Sequence, residues 1–267
     1  MSIFLPPRFS SGPAFPDPWP DSTQWVHEKT SSTFADSWQA CDLSPDGTKI
    51  YAVQNQGKSQ TAQWTMTTPW DIATMTSKVT VAAMAKLNCT GCRVRVDTGN
   101  DFYTMQDSTP DYAHQFGITN YNITGGTFTA SFNLSGAGFS TTEDGLFIKA
   151  DGTRLFYLSG SNVIQLTMTT PWDISTLGSK VTKAITGAED LFFHPSGLQM
   201  FTLSGAALRD YTMNPAWDIS TLSLNASATL SGSRNDQKGL YIREDGLKLY
   251  TVRSINDTFE QYKKIGT

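Results

Sequence analysis

The sequence repeats itself, and this repeat constrains the fold more than any other feature of the chain. The motif MTTPWDI occurs at residues 66–72 and 168–174, and a changed copy, MNPAWDI, stands at 213–219. A second motif, built on Asp-Gly or Ser-Gly, occurs at 46–51, 151–156, 196–201 and 245–250, with a degenerate copy at 97–102. Its glycines, at positions 47, 99, 152, 197 and 246, are 52, 53, 45 and 49 residues apart. The chain is therefore expected to contain five copies of one structural unit.

Each unit has the pattern of four short antiparallel strands. The Asp-Gly and Ser-Gly pairs suit tight turns with positive φ, and the flanking residues alternate between apolar and polar as in a β-hairpin. The third strand of each unit carries a polar residue followed by a large apolar one, at 63–64, 115–116, 165–166, 210–211 and 261–262. Four-stranded units of this length are typical of a β-propeller. We predict an all-β fold, a five-bladed β-propeller of four-stranded antiparallel blades.

The two ends of the repeat region predict how the ring closes. The fifth unit stops in its third strand at 259–264, with no room for a fourth. The first unit is preceded by an additional strand-like run at 24–29. We predict that this N-terminal run supplies the outer strand of the last blade, so that one propeller domain spans residues 24–267.

Residues 1–23 differ in composition from the rest and predict a proline-rich extended arm. Six of the 12 prolines lie among the first twenty residues, a density that favours an extended segment outside any sheet. Six large apolar residues stand between them, more than a solvated tail usually carries. We interpret them as anchors of an arm that becomes ordered on a partner, with a disordered tail as the alternative: Ile3, Phe4, Leu5, Phe9, Phe15 and Trp19.

Composition limits the partners. Charged residues make up 16% of the chain, the formal net charge is −4, and the longest basic run is Lys263-Lys264. Because nucleic-acid binding depends on clustered cations, no nucleic-acid partner is expected. No apolar stretch approaches a membrane span, and residues 1–7 lack the basic and apolar regions of a secretory signal. We expect synthesis in the cytoplasm and no membrane insertion.

Neither the cysteines nor the histidines predict a metal or catalytic site. Cys89 and Cys92 have the spacing of a redox pair or half a zinc site, but Cys41 is the one other cysteine and a zinc site usually needs a second such pair. We predict buried free thiols in the inner strands, with a local disulfide between Cys89 and Cys92 as the alternative. No cofactor is predicted. The histidines are expected in an outer, a third and an inner strand, where they cannot converge: His27, His114 and His194.

The Trp-Asp turns are interpreted as structural, because a binding site usually interrupts a repeat. In each turn the Trp would pack against the neighbouring blade. The Asp would accept hydrogen bonds from the backbone of the residues that follow it, at Asp71, Asp173 and Asp218.

The repeat is interrupted where the inner strands begin, at one mouth of the predicted channel. Alignment on the turn glycines places five residues at one level: Gln39, Gly91, Asp144, Glu189 and Lys238. With Asp190 from the next level, Asp144, Glu189 and Lys238 are the candidate binding residues. Such a ring could bind a ligand or ion, could perform glycoside hydrolysis with two carboxylates, or could simply be solvated. No catalytic residue is assigned. The long polar turns of the second unit add Tyr112 and Tyr121, which could stack on sugar rings or face the adjacent blade.

The turn PWDIST at 171–176, paired with SPDGTK at 44–49, resembles propeller repeats of tailed-bacteriophage virion proteins and of some bacterial surface proteins. The resemblance covers residues 36–264, although the second unit has Tyr121-Asn122-Ile123 in place of Trp-Asp-Ile. It implies a structural or host-contacting component of a virus particle, and no catalytic residue set comes with it.

Three functions therefore stay open. The favoured hypothesis is a non-enzymatic bacteriophage virion protein, a tail or capsid appendage in multiple copies, whose arm docks on neighbouring virion subunits while the propeller projects for host attachment. A carbohydrate-binding propeller that recognises a host-surface glycan is the alternative, and it predicts equivalent shallow pockets between blades. A polysaccharide-degrading enzyme that uses the acidic mouth is the third.

Overall fold

The chain folds into a five-bladed β-propeller, as the repeat predicts. The computed structural model describes residues 25–34, 36–54, 60–84, 88–135, 143–232 and 235–265. Twenty strands in these residues form five four-stranded antiparallel sheets. Within the same residues, no helix is long and apolar enough to cross a membrane.

The first four blades follow the order of the chain, each from its inner to its outer strand. Blade 1 contains β2 (Trp38–Leu43), β3 (Lys49–Gln54), β4 (Thr61–Met66) and β5 (Met75–Val81). Blade 2 contains β6 (Cys89–Val94), β7 (Asp101–Gln106), β8 (Tyr112–Thr119) and β9 (Asn122–Asn133). Blade 3 contains β10 (Glu143–Ile148), β11 (Arg154–Ser159), β12 (Asn162–Met168) and β13 (Leu177–Ala184). Blade 4 contains β14 (Asp190–Phe193), β15 (Gln199–Ser204), β16 (Ala207–Thr212) and β17 (Ser223–Thr229). Short 3-10 helices lie at Ile72–Thr74, Ala82–Met84, Ile174–Thr176 and Ile219–Thr221.

Blade 5 is built from both ends of the chain, which confirms the predicted ring closure. Its strands are β18 (Gln237–Ile242), β19 (Lys248–Arg253), β20 (Thr258–Lys264) and, outermost, β1 (Trp25–Thr30). Side chains reinforce the pairing, since His27 Nε2 lies 2.7 Å from Glu260 Oε2. Lys29 Nζ lies 2.6 Å from Asp71 Oδ2, so β1 is also tied to blade 1. The proline-rich arm and its six anchors lie outside the described residues.

Each Trp-Asp turn is hydrogen-bonded to the Asp-Gly or Ser-Gly turn of its own blade. Trp70, Trp172 and Trp217 adopt positive φ values of 65°, 67° and 64°. Their backbone N–H groups donate to the carbonyls of the turn glycines Gly47, Gly152 and Gly197, at 2.8–3.0 Å. A Cβ atom on Gly152 would lie 2.5 Å from the Trp172 ring, so glycine is required for this approach. The following Asp accepts the predicted backbone hydrogen bond at 3.0 Å in all three turns.

The same turns join neighbouring blades. The Trp side chains pack against the adjacent blade as predicted, with ring centroids 6.3 Å apart for Trp70 and Tyr250 and 6.4 Å apart for Trp172 and Tyr103. The Trp172 carbonyl accepts a hydrogen bond from the Tyr103 hydroxyl of blade 2, and the Trp70 carbonyl accepts one from Tyr250 of blade 5. The third-strand glutamines contribute as well, because Gln115 Oε1 accepts from the backbone of Ile174 in blade 3 at 3.3 Å. Equivalent bonds run from Ile123 to Gln63 and from Ile72 to Gln261.

Tyr121-Asn122-Ile123 takes the place of Trp-Asp-Ile in blade 2. Tyr121 has a φ of 59° and donates its N–H to the Gly99 carbonyl, and Asn122 accepts from the backbone of Thr124. The Tyr121 hydroxyl donates to the Val96 carbonyl. Tyr121 is therefore engaged in the turn of its own blade, and the adjacent Tyr51 of blade 1 donates to its carbonyl.

The cysteines and histidines lie close to the predicted places. Cys41 in β2 and Cys89 and Cys92 in β6 are buried free thiols, as predicted. His27 is in the outer strand β1 and His114 in the third strand β8. His194 falls just after the inner strand β14, because that strand ends at Phe193 and His194 begins the turn.

Candidate functional site

One position of the inner strands points to the channel axis in every blade. The residues at this position pair with equivalent residues of the second strands and together line one cavity: Asp42, Arg93, Phe147, Phe192 and Tyr241. Three of them are aromatic, and the other two carry opposite charges. The axis of the ring is therefore a packed polar and aromatic centre.

Arg93 fills the middle of the channel. Its Nη1 donates to the Cys41 carbonyl of blade 1 at 3.2 Å, and its Nη2 donates to the carbonyls of Leu191 and Leu240, in blades 4 and 5, at 3.0 and 3.2 Å. Its guanidinium carbon lies 5.7 Å from the ring centroid of Phe147 in blade 3. One side chain from blade 2 thus contacts all four other blades.

Two buried carboxylates, those of Asp42 and Asp190, lie close enough to this cation to interact with it electrostatically. Asp42 Oδ1 lies 3.4 Å from Arg93 Nη1, and Asp42 Oδ2 accepts the Val94 N–H at 2.7 Å. Asp190 accepts the backbone N–H groups of Leu191 and Leu240 at 2.8 and 2.6 Å. Burial raises the pKa of each carboxyl to about 6, and the attraction of Arg93 limits that rise. The pKa of Arg93 is itself raised by both aspartates, against the effect of burial.

The structure brings the residues predicted at the mouth close to one another. Lys238 forms an ion pair with Glu189, whose other oxygen accepts the Gly205 N–H at 2.9 Å. Asp144 lies nearby, and burial raises its pKa to about 7, with Lys238 acting in the opposite direction. Asp190 lies one level deeper, where its carboxylate is held by the backbone.

The alignment on turn glycines was wrong by one residue in the second unit. Arg95 and Gly99 are hydrogen-bonded across a turn that is one residue longer than the corresponding turn between Ser44 and Gly47. The strand pairing therefore places Thr90, and not Gly91, at the level of the mouth. Because of the same shift, the glycine alignment matches Arg93 with Cys41, whereas the strand pairing matches it with Asp42. The axial position of Arg93 was therefore not predicted. Asp42 and Arg93 carry opposite charges, and each is the one charged residue of its strand; this was the signal in the sequence that could have revealed the pair.

Open grooves lie beside two of the Trp-Asp turns, at equivalent places between blades. One is lined by Trp70, Arg243 and Asp245, and another by Trp172, Arg95 and Asp101, among other residues. In each groove the guanidinium covers the indole, at 5.6 and 4.9 Å from the ring centroid. Each Trp is thus placed between its turn glycine and a cation.

The fold and the axial site define the chain as a five-bladed β-propeller with a filled channel. No family model and no curated protein matches the sequence. Among solved structures, it is similar to a functionally unknown protein from Desulfotomaculum acetoxidans DSM 771, with a TM-score of 0.50 and 11% identity over 87% of this chain and 84% of that chain. It is also similar to the β-propeller domain of Myceliophteria thermophila Cps50 (Swd1), with a TM-score of 0.53 and 8% identity over 90% of this chain and 99% of that one. At these identities the similarity shows the fold alone.

Proposed function

We propose that the protein is a non-enzymatic structural component of a tailed-bacteriophage particle, a tail or capsid appendage present in multiple copies. Residues 1–23 dock on neighbouring virion subunits, and the propeller projects outward for host attachment. The observation that carries this proposal is the ring closure. Because Trp25 begins the outer strand of blade 5, the arm joins the propeller at its rim and can engage a neighbour without disturbing the ring. The resemblance of the repeat turns to those of virion proteins supports the same role.

The state of the carboxylates supports a non-enzymatic role. Glu189 is bound to Lys238 and to the backbone of Gly205, and Asp190 is held by two backbone N–H groups. Asp144 has the raised pKa of an acid, but glycoside hydrolysis needs a second carboxylate at a set distance to act as base or nucleophile. With Glu189 and Asp190 engaged, that partner is lacking among the predicted residues.

The proposal is tested on particles purified by density from the producing culture. We expect this chain to co-sediment with capsid and tail proteins at a fixed stoichiometry, measured by mass spectrometry. A chain that lacks residues 1–23 should remain folded by circular dichroism but disappear from the particles. As a matched variant, serine replaces the six anchor residues while the prolines are kept. Absence of the full-length chain from the particles, or incorporation of the truncated chain, would contradict the proposal.

Carbohydrate binding is the second candidate, because the grooves beside Trp70 and Trp172 are the equivalent inter-blade pockets that it predicts. Against it, Arg243 and Arg95 already cover the indole faces on which a sugar ring would stack. Glycan-array binding by the isolated full-length chain tests it. Binding that Arg95→Ala strengthens, by uncovering the Trp172 ring, would support this candidate, and absence of any bound glycan would exclude the glycans on the array.

A further inference from the structure

A small cavity opens at the end of the channel opposite the acidic mouth. This axial cavity is lined by residues that end or follow the inner strands, such as Val96, Phe147 and Glu244, whereas Asp144 and Lys238 stand where those strands begin. Its volume is about 80 Å³. Because an apolar cavity of about 150 Å³ holds a benzene ring, the axial cavity has room for about three or four methylene groups.

Aromatic rings from three blades form most of the wall of the axial cavity. Phe147, Phe192 and Tyr241 surround the axis, and the last two are in edge-to-face contact at 5.2 Å. Phe193 and Trp217 stack on each other at 5.6 Å and extend the wall. Aromatic-lined pockets of this kind are typical docking surfaces for proline-rich segments, because a polyproline helix is already extended and loses little entropy on binding.

The charged groups of the axial cavity favour an uncharged occupant. Arg93 already lies over the Phe147 and Phe192 rings, at 5.7 and 5.2 Å, so a second cation would compete with it. An anion would approach the carboxylates of Asp42 and Glu244. The Nε of Arg93 has no partner among the described residues, but it is shielded from the cavity because almost none of its surface is accessible. Glu244 is exposed at the rim, where its carboxylate stays in water.

The described part of the chain begins on the face that carries the axial cavity. Trp25, the first residue of β1, pairs with Lys264. The Lys264 N–H donates to the carbonyl of Leu247, just after the Asp-Gly turn of blade 5, at 3.2 Å. The wall of the cavity is formed at the same end of the blades, since Val96 belongs to the corresponding turn of blade 2. The proline-rich arm therefore joins the propeller on the face where the cavity opens.

A groove between blades 5 and 1 runs from this starting point towards the axial cavity. It is lined by Trp70, Arg243 and Glu244, among other residues, and Glu244 lines the axial cavity as well. At its outer end, Lys29 of β1 is bound to Asp71, which follows Trp70 in the turn. The groove and the cavity thus form one continuous surface from the rim of the propeller to its axis.

The distance from rim to axis selects one part of the arm. The outer strand β1 lies three strand spacings from the inner strand β18. With the axis one spacing further, the whole distance is about 19 Å. A polyproline segment advances about 3.1 Å per residue, so about six residues bridge it. Counting back from Trp25 leads to Trp19, which stands between Pro18 and Pro20.

We propose that residues 16–20 of the arm occupy the axial cavity of the same chain. The three methylene groups of Pro18 fill the cavity, and Trp19 covers its opening. A tether that just spans two sites keeps the local concentration of the segment at about the millimolar level, which favours the same chain over a second copy. This inference goes beyond the proposed function, because it concerns a contact within the isolated chain and does not depend on assembly into a particle.

The test is the rate of disulfide formation in the full-length chain under mild oxidation. Asp17→Cys is combined with Val96→Cys at the cavity or, as the matched control, with Leu198→Cys. Val96 and Leu198 are both 37% exposed, but Leu198 does not line the cavity. Leu198 also belongs to blade 4, next to blade 5 where the arm begins, so an unbound arm would not favour position 96 in blade 2. The three native cysteines are buried and do not compete.

We expect the pair with Val96→Cys to form its disulfide at least about fivefold faster than the pair with Leu198→Cys, because docking raises the local concentration at the cavity. Equal rates, or a faster reaction at position 198, overturn the proposal. Gel electrophoresis without reductant identifies the chain that supplies the segment. Linked monomers support the same chain, and linked dimers show that a second copy supplies it, which overturns the assignment.

Three variants of the pair with Val96→Cys locate the contact. Pro18→Ser removes the ring that fills the cavity and should slow disulfide formation at least about threefold. Pro7→Ser is the matched control, because Pro7 lies 18 residues before Trp25, beyond the distance to the axis, and it should leave the rate unchanged. Ala150→Glu places a carboxylate at the exposed rim of the cavity and should slow the reaction as Pro18→Ser does. A rate that survives Pro18→Ser and Ala150→Glu, or falls equally in Pro7→Ser, overturns the proposal.

Discussion

Arg93 and Asp42 form a buried ion pair, 3.4 Å from Nη1 to Oδ1, between the inner strands of blades 2 and 1. Both side chains are at least 94% buried. The pair lies on the axis of the ring, where Arg93 also reaches the carbonyls of Leu191 and Leu240. In this propeller, backbone hydrogen bonds between the described strands connect only the strands of one blade. A side chain that contacts every blade therefore links sheets that backbone pairing does not connect.

Loss of Arg93 should therefore be costly. We expect Arg93→Met to lower the free energy of unfolding by about 3–5 kcal/mol, because Asp42 and Asp190 would remain buried without a cation. Urea denaturation followed by tryptophan fluorescence measures the change. Adding Asp42→Asn to this variant removes one uncompensated charge and should restore part of the stability. A loss below about 1 kcal/mol in Arg93→Met would show that the axial pair does not hold the blades together.

The turn glycines should tolerate no side chain where the indole packs on them. We expect Gly152→Ala to lower the free energy of unfolding by at least ~2 kcal/mol, since φ is +72° and the new Cβ would overlap Trp172. Gly178→Ala in the same blade is the matched control, because nothing lies within 4 Å of the Cβ position there. Thermal unfolding by calorimetry compares the two. Equal effects would contradict the role given to the Trp-Gly contact.

The contribution of the Gln115 hydrogen bond to stability can be measured by comparison with Gln165, the residue at the equivalent position of the next blade. Gln115→Leu leaves the buried N–H of Ile174 without an acceptor, and we expect a loss of about 1–2 kcal/mol. Gln165 occupies the equivalent position in β12, but its Oε1 accepts no hydrogen bond in the described structure. Gln165→Leu breaks no hydrogen bond to Oε1 and should therefore lower stability by less than about 0.5 kcal/mol, the lower end of what one hydrogen bond contributes. The explanation fails if chemical denaturation gives the two variants the same loss.

Asp144 should make stability depend on pH in a defined direction. Its pKa is about 7 in the folded chain against an ordinary value of 3.8, so the folded state binds the proton more tightly than the unfolded state does. The stabilisation from protonated Asp144 is present at about pH 4 and is lost as the pH rises to about 7. Relative to Asp144→Asn, the wild-type chain should lose up to ~4 kcal/mol over this interval. Denaturation of both chains at several pH values checks this, and parallel curves would contradict it.

Two N-terminal truncations, one that keeps β1 and one that removes it, should differ clearly in their unfolding. Removing residues 1–24 leaves β1 intact and should leave unfolding cooperative. Removing residues 1–30 exposes the edge of β20 and eliminates the contacts of Lys29 with Asp71 and of His27 with Glu260, so cooperative unfolding should be lost. Circular dichroism during heating distinguishes the two. A cooperative transition in the shorter chain would show that the ring does not need its closing strand.

The number of blades, the ring closure and the structural role of the Trp-Asp turns could be predicted because they depend on local patterns. The turn at Gly152 and the cap formed by Asp218 each depend on a few neighbouring residues. Each pattern also occurs several times in the repeat, so it can be recognised from the sequence. The predicted mouth residues Glu189 and Lys238 do lie together, since they occupy one level of adjacent blades. What they bind stays a prediction.

The contents of the channel were decided by the tertiary structure. Arg93, Asp42 and Tyr241 come from three blades that are far apart in sequence, and no local pattern relates them. A single additional residue in the turn of blade 2 moves Arg93 by one place in any alignment on the glycines, and a shift of one residue in a strand turns a side chain to the other face. Sequence by itself thus determined the architecture, because architecture repeats. The ring alone decided which charges meet at its axis, because that contact occurs once.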